Sequence, residues 1–201
     1  MGSRVMHIII ANQIAEAIRI EDRSAFLLGG IAADAASSKE LSHFYRGDLK
    51  DYSRNIAYDE FLKKYAMKKD DPFIQGYYTH LIADDLWLKG FYLPWLRNRM
   101  EKDEEVFQRY HHDFRLLNSK LLEHYDASAE ITCYLKKSFS MIETEEVTKK
   151  DLLNFIPYML EDMEINKQDI ELDLSVFTFE QIIGYIETSV EKGIMCLQCL
   201  R

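Results

Sequence analysis

Residues 71–95, DPFIQGYYTHLIADDLWLKGFYLPW, constrain this chain more than any other stretch. Asp71 followed by Pro72 reads as a helix start, with a carboxylate to cap the first turn and a proline whose missing N–H would have no partner there anyway. The run that follows is aromatic and aliphatic, and within it stand His80 and Asp84. Four residues apart on a helix, their side chains leave the same face. One imidazole and one carboxylate on one face can hold a metal ion. A polar pair facing the core of so apolar a helix has to be hydrogen-bonded, paired or metal-bound.

The remaining segments read as further helices, and the chain is expected to be all-α, a multi-helix bundle. Apolar positions between Val5 and Ile20 form one broad stripe, a buried or half-buried helix with His7 in its first turn. The next helix, residues 22–34, is rich in small residues. Gly29 and Gly30 weaken a helix interior by about 1 kcal/mol each, and close packing against another backbone would explain them. That run ends on Asp34, which suits an interior ligand or a turn residue. Ser37 to Glu40 has the capping-box pattern before a short segment carrying His43, and Arg46-Gly47-Asp48 reads as a turn. Residues 56–67 form an amphipathic helix with Phe61, Leu62 and Tyr65 inside. Gly90 and Pro94 are expected to bend or end the central helix. Another helix spans about 106–125, with His111, Asp113 and Asn118 among its apolar positions. Residues 131–141, 152–163 and 179–197 read as three more, the last opened by Thr178 with Gln181 three residues on. The only strand-like run, 170–177, is taken as an extended connection because it has no clear partner.

Charge divides the chain. Residues 1–124 hold 18 Lys/Arg against 19 Asp/Glu, and residues 125–201 hold 7 against 15, so most of the formal net charge of −9 sits in the last third. This balance argues against a broad basic surface for nucleic acid or anionic membrane, and no stable nucleic-acid partner is expected. A small phosphate is not excluded. The acidic third suits a protein partner or a homo-oligomer surface. All six histidines, namely His7, His43, His80, His111, His112 and His124, lie within the first 124 residues. The expected organisation is therefore a metal-binding helical core over 1–125 and a helical extension over 126–201 packed on it. Three cysteines and no secretory signal fit a reducing cytoplasm, with Cys196 and Cys199 as ordinary positions on the last helix. The apolar run from Met6 is too short to span a membrane, and Gly2 lacks the hydroxyl residue at position 6 that N-myristoylation needs.

His7, the run FLLGGIAAD ending on Asp34, Ser42-His43, and GYYTHLIAD ending on Asp84 together resemble, in that order, the zinc-dependent phospholipase C and P1-type nuclease superfamily. The resemblance covers roughly residues 4–125. It implies an all-α fold holding up to three zinc ions. Carried over by position, Asp34, His43, His80 and Asp84 bind one zinc, and Asp84 bridges to a second held also by His7. The third site departs from the family pattern. Four residues after His111, His112 and His124 stand Arg115, Leu116 and Ser128 in place of glutamate, and His111 with Asp113 is the substitute. Secreted members also use the mature N-terminal amine, whereas six residues precede His7 here. Two metals are therefore expected rather than three, with Zn²⁺ first and Mn²⁺ or Fe also suited to the donor set.

The resulting expectation is a metal-dependent hydrolase of phosphate esters, phospholipase C-like, in which metal-activated water is the nucleophile and Asp34 orients or deprotonates it. Its partner is a small phosphate-ester substrate. Tyr77, Tyr78 and Trp87 serve as core residues that could also line the pocket. One alternative is an HD-type metal-dependent phosphohydrolase, with His112-Asp113 as its central dipeptide and Asp126 as a later ligand. The other is a non-catalytic helical interaction module with a structural or vestigial metal site.

Overall fold

A computed structural model describes residues 3–200. Met1 and Gly2, on which the readings of N-myristoylation and of the N-terminal amine rest, lie outside the described residues, as does Arg201. The protein is an all-α, multi-helix bundle. Its segments in order are α1 (Arg4–Ala17), α2 (Arg23–Ala35), α3 (Lys39–Ser42), α4 (Tyr58–Lys64), α5 (Pro72–Trp87), α6 (Arg97–Lys102), α7 (Glu104–Tyr125), α8 (Ser128–Leu135), α9 (Lys149–Asp162), α10 (Lys167–Glu171) and α11 (Phe179–Gln198).

Helices α1, α2 and α5 form the centre. Apolar residues cover nearly every side of each, and a helix apolar all round is stable only when it is enclosed by others. Asp71 caps α5 as its sequence implies, its carboxylate accepting from the amides of Phe73 and Ile74 with Pro72 in the first turn. The helices α2 and α5 cross almost backbone to backbone. A Cβ on Gly29 would lie 2.1 Å from the Phe73 carbonyl oxygen, and one on Gly76 would lie 2.0 Å from that of Phe26. Gly30 faces α1 in the same way, with Ala11 Cβ 2.6 Å from where its own Cβ would stand. Close packing thus accounts for both glycines in α2.

The C-terminal segments close the bundle. The α11 cap forms both reciprocal bonds expected of Thr178 and Gln181, and this helix buries Ile182, Tyr185, Ile186 and Leu197. One continuous core runs from Val5 to Leu197, so the segments beyond residue 125 share the core of the first part. Cys196 is half-buried on α11, while Cys199 lies exposed just past its end. No helix among the described residues is long and apolar enough to cross a membrane.

Several local expectations are corrected. Two short strands, Tyr45–Arg46 and Asn55–Ile56, pair antiparallel where only a turn was expected. Gly47, in its connecting loop, adopts φ 72°, which favours glycine. Ser38 rather than Ser37 caps α3, without a side-chain bond. Beyond Trp87 the central helix neither ends nor breaks at Gly90 and Pro94. It continues as a π-helical stretch, Leu88–Leu96, into α6. Pro94 cannot donate to the α-helical ladder, and a wider turn accommodates the missing N–H. Helix α8 stops at Leu135, leaving Phe139 and Met141 outside it, and Ile170 belongs to the short helix α10.

Candidate metal centre

Four segments converge where α1, α2 and α5 meet the chain after α3. His7 comes from the first turn of α1, Asp34 from the last turn of α2, His43 from the residue following α3, and His80 and Asp84 from mid-α5. His7, His43, His80 and Asp84 are all at most 2% exposed. The Asp34 side chain, 17% exposed, forms the open edge. A carboxylate at a helix C-terminus opposes the helix dipole, so Asp34 stands where only a cationic neighbour makes it favourable.

Asp84 is the hub. Its Oδ1 lies 3.2 Å from His7 Nε2, and its Oδ2 lies 3.4 Å from His43 Nε2 and 3.6 Å from His80 Nε2. His43 Nε2 is also 3.5 Å from His80 Nε2 and 3.5 Å from Asp34 Oδ1. The two carboxylate oxygens thus face different imidazoles, as a bridging ligand requires. Four ligands about 2.1 Å from a tetrahedral ion stand roughly 3.4 Å apart. The His43–His80–Asp84 triangle has edges close to that value.

The outer nitrogens of two of these rings fix their tautomers. His80 Nδ1 donates to the Gly30 carbonyl at 2.8 Å. Ser42 Oγ gives its proton to the Ala33 carbonyl, so His43 Nδ1, 3.0 Å from that oxygen and 3.1 Å from the Lys39 carbonyl, must carry a proton itself. In the neutral rings both Nε2 atoms therefore present lone pairs to each other and to a carboxylate. Such a cluster is repulsive until a proton or a metal ion enters it. Neither nitrogen of His7 makes an aligned hydrogen bond among the described residues, although the ring stacks on His80 at 3.9 Å. Asp34 Oδ2 has no hydrogen-bond partner among the described residues either.

Charge in the cluster follows from this packing. Burial and the neighbouring His80 push His7 down to about 4. Burial also works against the charged form of His80, but the bond to Asp84 and the nearby Asp34 outweigh it and raise its pKa above the usual histidine value. Burial would likewise raise Asp34 and Asp84, yet the positive charge around them, that of the imidazoles included, holds both well below the carboxylate range. Without an ion, the raised His80 pKa favours a positive charge beside the two carboxylates.

The His43 segment is anchored from several sides. Phe44 adopts a left-handed φ of 52°, a conformation a bulky side chain enters at some cost, and it turns the chain directly after His43. Tyr45 stacks on the His43 ring at 5.4 Å, and Tyr77 donates to the Ser42 carbonyl at 2.7 Å. Tyr77, Tyr78 and Trp87 are all core. The supporting roles of Ser42, Tyr45 and the Gly30 and Lys39 carbonyls were not drawn from the sequence. Only the Ser42-His43 pair and the glycine run offered any signal for them.

The third-site candidates are elsewhere. His111 is exposed on α7 and packs against Phe107 and Tyr110. Asp113 is fully buried, but its carboxylate accepts from the amides of Ser175, Val176 and Phe177. It pins the connection before α11 and is not brought to the cluster, which corrects its expected pairing with His111. His112 and His124 are exposed too, and Asp126 is an exposed residue past the end of α7. The dipeptide that an HD-type site would need thus has one residue in solvent and the other committed to backbone.

No protein-family model matches the chain, and neither curated proteins nor solved structures yield a match.

Proposed function

We propose that this protein is a divalent-metal-dependent hydrolase of phosphate esters, of the kind suggested by its resemblance to the zinc-dependent phospholipase C and P1-type nuclease superfamily. The observation that carries the reading is the triangle of His43, His80 and Asp84, whose edges of 3.4, 3.5 and 3.6 Å suit a single ion. His7, on the other oxygen of Asp84, supports a second ion. The all-nitrogen and oxygen donor set favours Zn²⁺, with Mn²⁺ or Fe as alternatives.

Bound there, the cations would supply Lewis acidity toward phosphoryl oxygens and acidify water toward neutral pH. The chain's own residues do the rest. The Gly30 and Lys39 carbonyls keep the Nε2 lone pairs turned inward, and the apolar helices exclude bulk water from all but one side. At that edge Asp34, whose buried Oδ2 has no hydrogen-bond partner among the described residues, accepts the proton of the attacking water. As the water oxygen bonds to phosphorus, the ester P–O bond breaks, and the departing alkoxide takes that proton as an alcohol.

Metal analysis of the purified chain, beside hydrolysis of generic phosphomonoesters and diesters, tests this reading. Bound transition metal with activity abolished by chelator and restored by zinc or manganese is the expected result. A chain that binds no metal refutes the reading. Metal without hydrolysis of any ester points instead to a helical module that keeps the ion for stability.

A further inference from the structure

A cleft of about 350 Å³ opens beside Asp34, and its walls include Arg4, Lys39 and Arg115. Three cations around one opening are notable in a chain of net charge −9. Arg4 is fixed from two sides, its Nε paired with Asp162 and its guanidinium carbon 5.5 Å from the centre of the Phe155 ring. Its two terminal nitrogens make no hydrogen bond to the described residues. They are left as a planar fork, the geometry that grips a phosphate or carboxylate through two bonds. Lys39 bonds through Nζ to the Asp34 carbonyl and stands 3.8 Å from its Oδ1, so its charge adjoins the metal cluster directly. Arg115 reaches the rim from α7, held by Asp169 at 3.4 Å behind it. All three side chains are accessible, being 35%, 53% and 57% exposed respectively.

With Asp34 committed to a cation, the cleft is lined by three positive side chains and one other carboxylate, Asp162, while Asp169 pairs with Arg115 from outside the lining. We propose that it is an anion subsite, and that the substrate is a small phosphate ester whose remainder carries its own negative charge, a second phosphate or a carboxylate. An ester with a neutral or cationic head group would leave the Arg4 fork empty or meet like charge. This inference rests on the hydrolase reading for its account of which group enters the cluster. The three cationic side chains line the cleft whether or not metal is bound, and an ion on Asp34 leaves Lys39 without its carboxylate partner.

Two ligands of similar size separate the cases: 2-phosphoglycolate, a phosphate with a carboxylate, and phosphorylcholine, a phosphate with a quaternary ammonium. Titration calorimetry on the zinc-loaded chain should show 2-phosphoglycolate binding about tenfold more tightly, the scale of one charge-assisted contact. In Arg4→Gln/Arg115→Gln that ratio should fall to about one with zinc content unchanged. Lys39→Gln, at a more than half-exposed position, should lower it by about threefold and guards against misfolding of the double variant. Equal affinities in the wild type, or a ratio that survives the substitutions, overturn the proposal. Zinc content reports separately on the metal centre. If the wild type holds no zinc, a 2-phosphoglycolate preference that the variants abolish sustains the anion subsite while the hydrolase reading falls. Binding of neither ligand overturns both.

Discussion

Asp84 and Asp113 are the same residue on two long helices, each fully buried, and their surroundings make them different objects. Asp113 receives three backbone amides from the connection before α11, so its charge is satisfied by the chain. Asp84 faces the Nε2 atoms of three imidazoles, two of which are turned toward it by carbonyls on their far sides. One carboxylate organises a loop; the other completes a set of inward lone pairs. Burial alone therefore does not identify a ligand. What the acid's neighbours have left unbonded does.

The largest difference between the two should appear in metal content. Asp84→Ala is expected to lower bound zinc by at least about tenfold, because it removes the carboxylate proposed as the ligand common to both ions. Asp113→Ala should leave zinc stoichiometry unchanged while destabilising the fold by about 3 kcal/mol, since three backbone amides, that of Phe177 buried, lose their acceptor. Elemental analysis and urea unfolding of both variants decide the matter. Zinc loss in Asp113→Ala would break the comparison.

Saturating zinc should stabilise the wild type by about 2.7 kcal/mol at a hundredfold excess over its dissociation constant, and Asp84→Ala hardly at all. A protein whose unfolding is indifferent to zinc has no such site.

The metal-free chain sharpens the contrast through pH. Histidine NMR titration should find His7 neutral until about pH 4 and His80 still protonated above the ordinary histidine range. The signs are opposite. The stability that His80 contributes is fully present below its unfolded value of 6.5 and is lost as pH rises through its raised folded value. His7, whose folded value is depressed, makes the fold less stable as pH falls from 6.5 toward 4. Zinc should keep both rings neutral and abolish the His80 signal's high-pH titration.

The smallest effects belong to His111→Ala, His112→Ala and His124→Ala. Each is exposed, and each substitution should change stability by no more than about 0.5 kcal/mol and metal content not at all. Zinc loss in any of them would place a further ligand on α7.

His7, His43, His80 and Asp84 were legible because a short polar residue within an apolar run has few reasons to be there, and α1 and α5 are apolar throughout. Asp34 was half legible, fitting both a ligand and a turn until His43 was found 3.5 Å away. The purpose of Asp113 was not, because the amides it serves lie more than sixty residues later and leave no local trace. The same limit hid the strand pair around Gly47, whose elements are two residues long. Pro94 announced a departure from the α-helix but not its form, and the contacts of Trp87, Phe91 and Phe177 around the π-helical stretch are tertiary ones that periodicity does not encode.

The glycine crossing of α2 and α5 carries a consequence for selectivity. Asp34 and His80 sit on two rods clamped at a separation set by main chain touching main chain, not by side chains that can yield. A metal site framed by these rods should resist expanding to suit a larger ion. Small cations content with four or five short bonds should enter, whereas calcium, which needs six to eight oxygens at 2.3–2.6 Å, should be refused. Gly76→Ala would spread the rods and forfeit that gauge together with the fold around it.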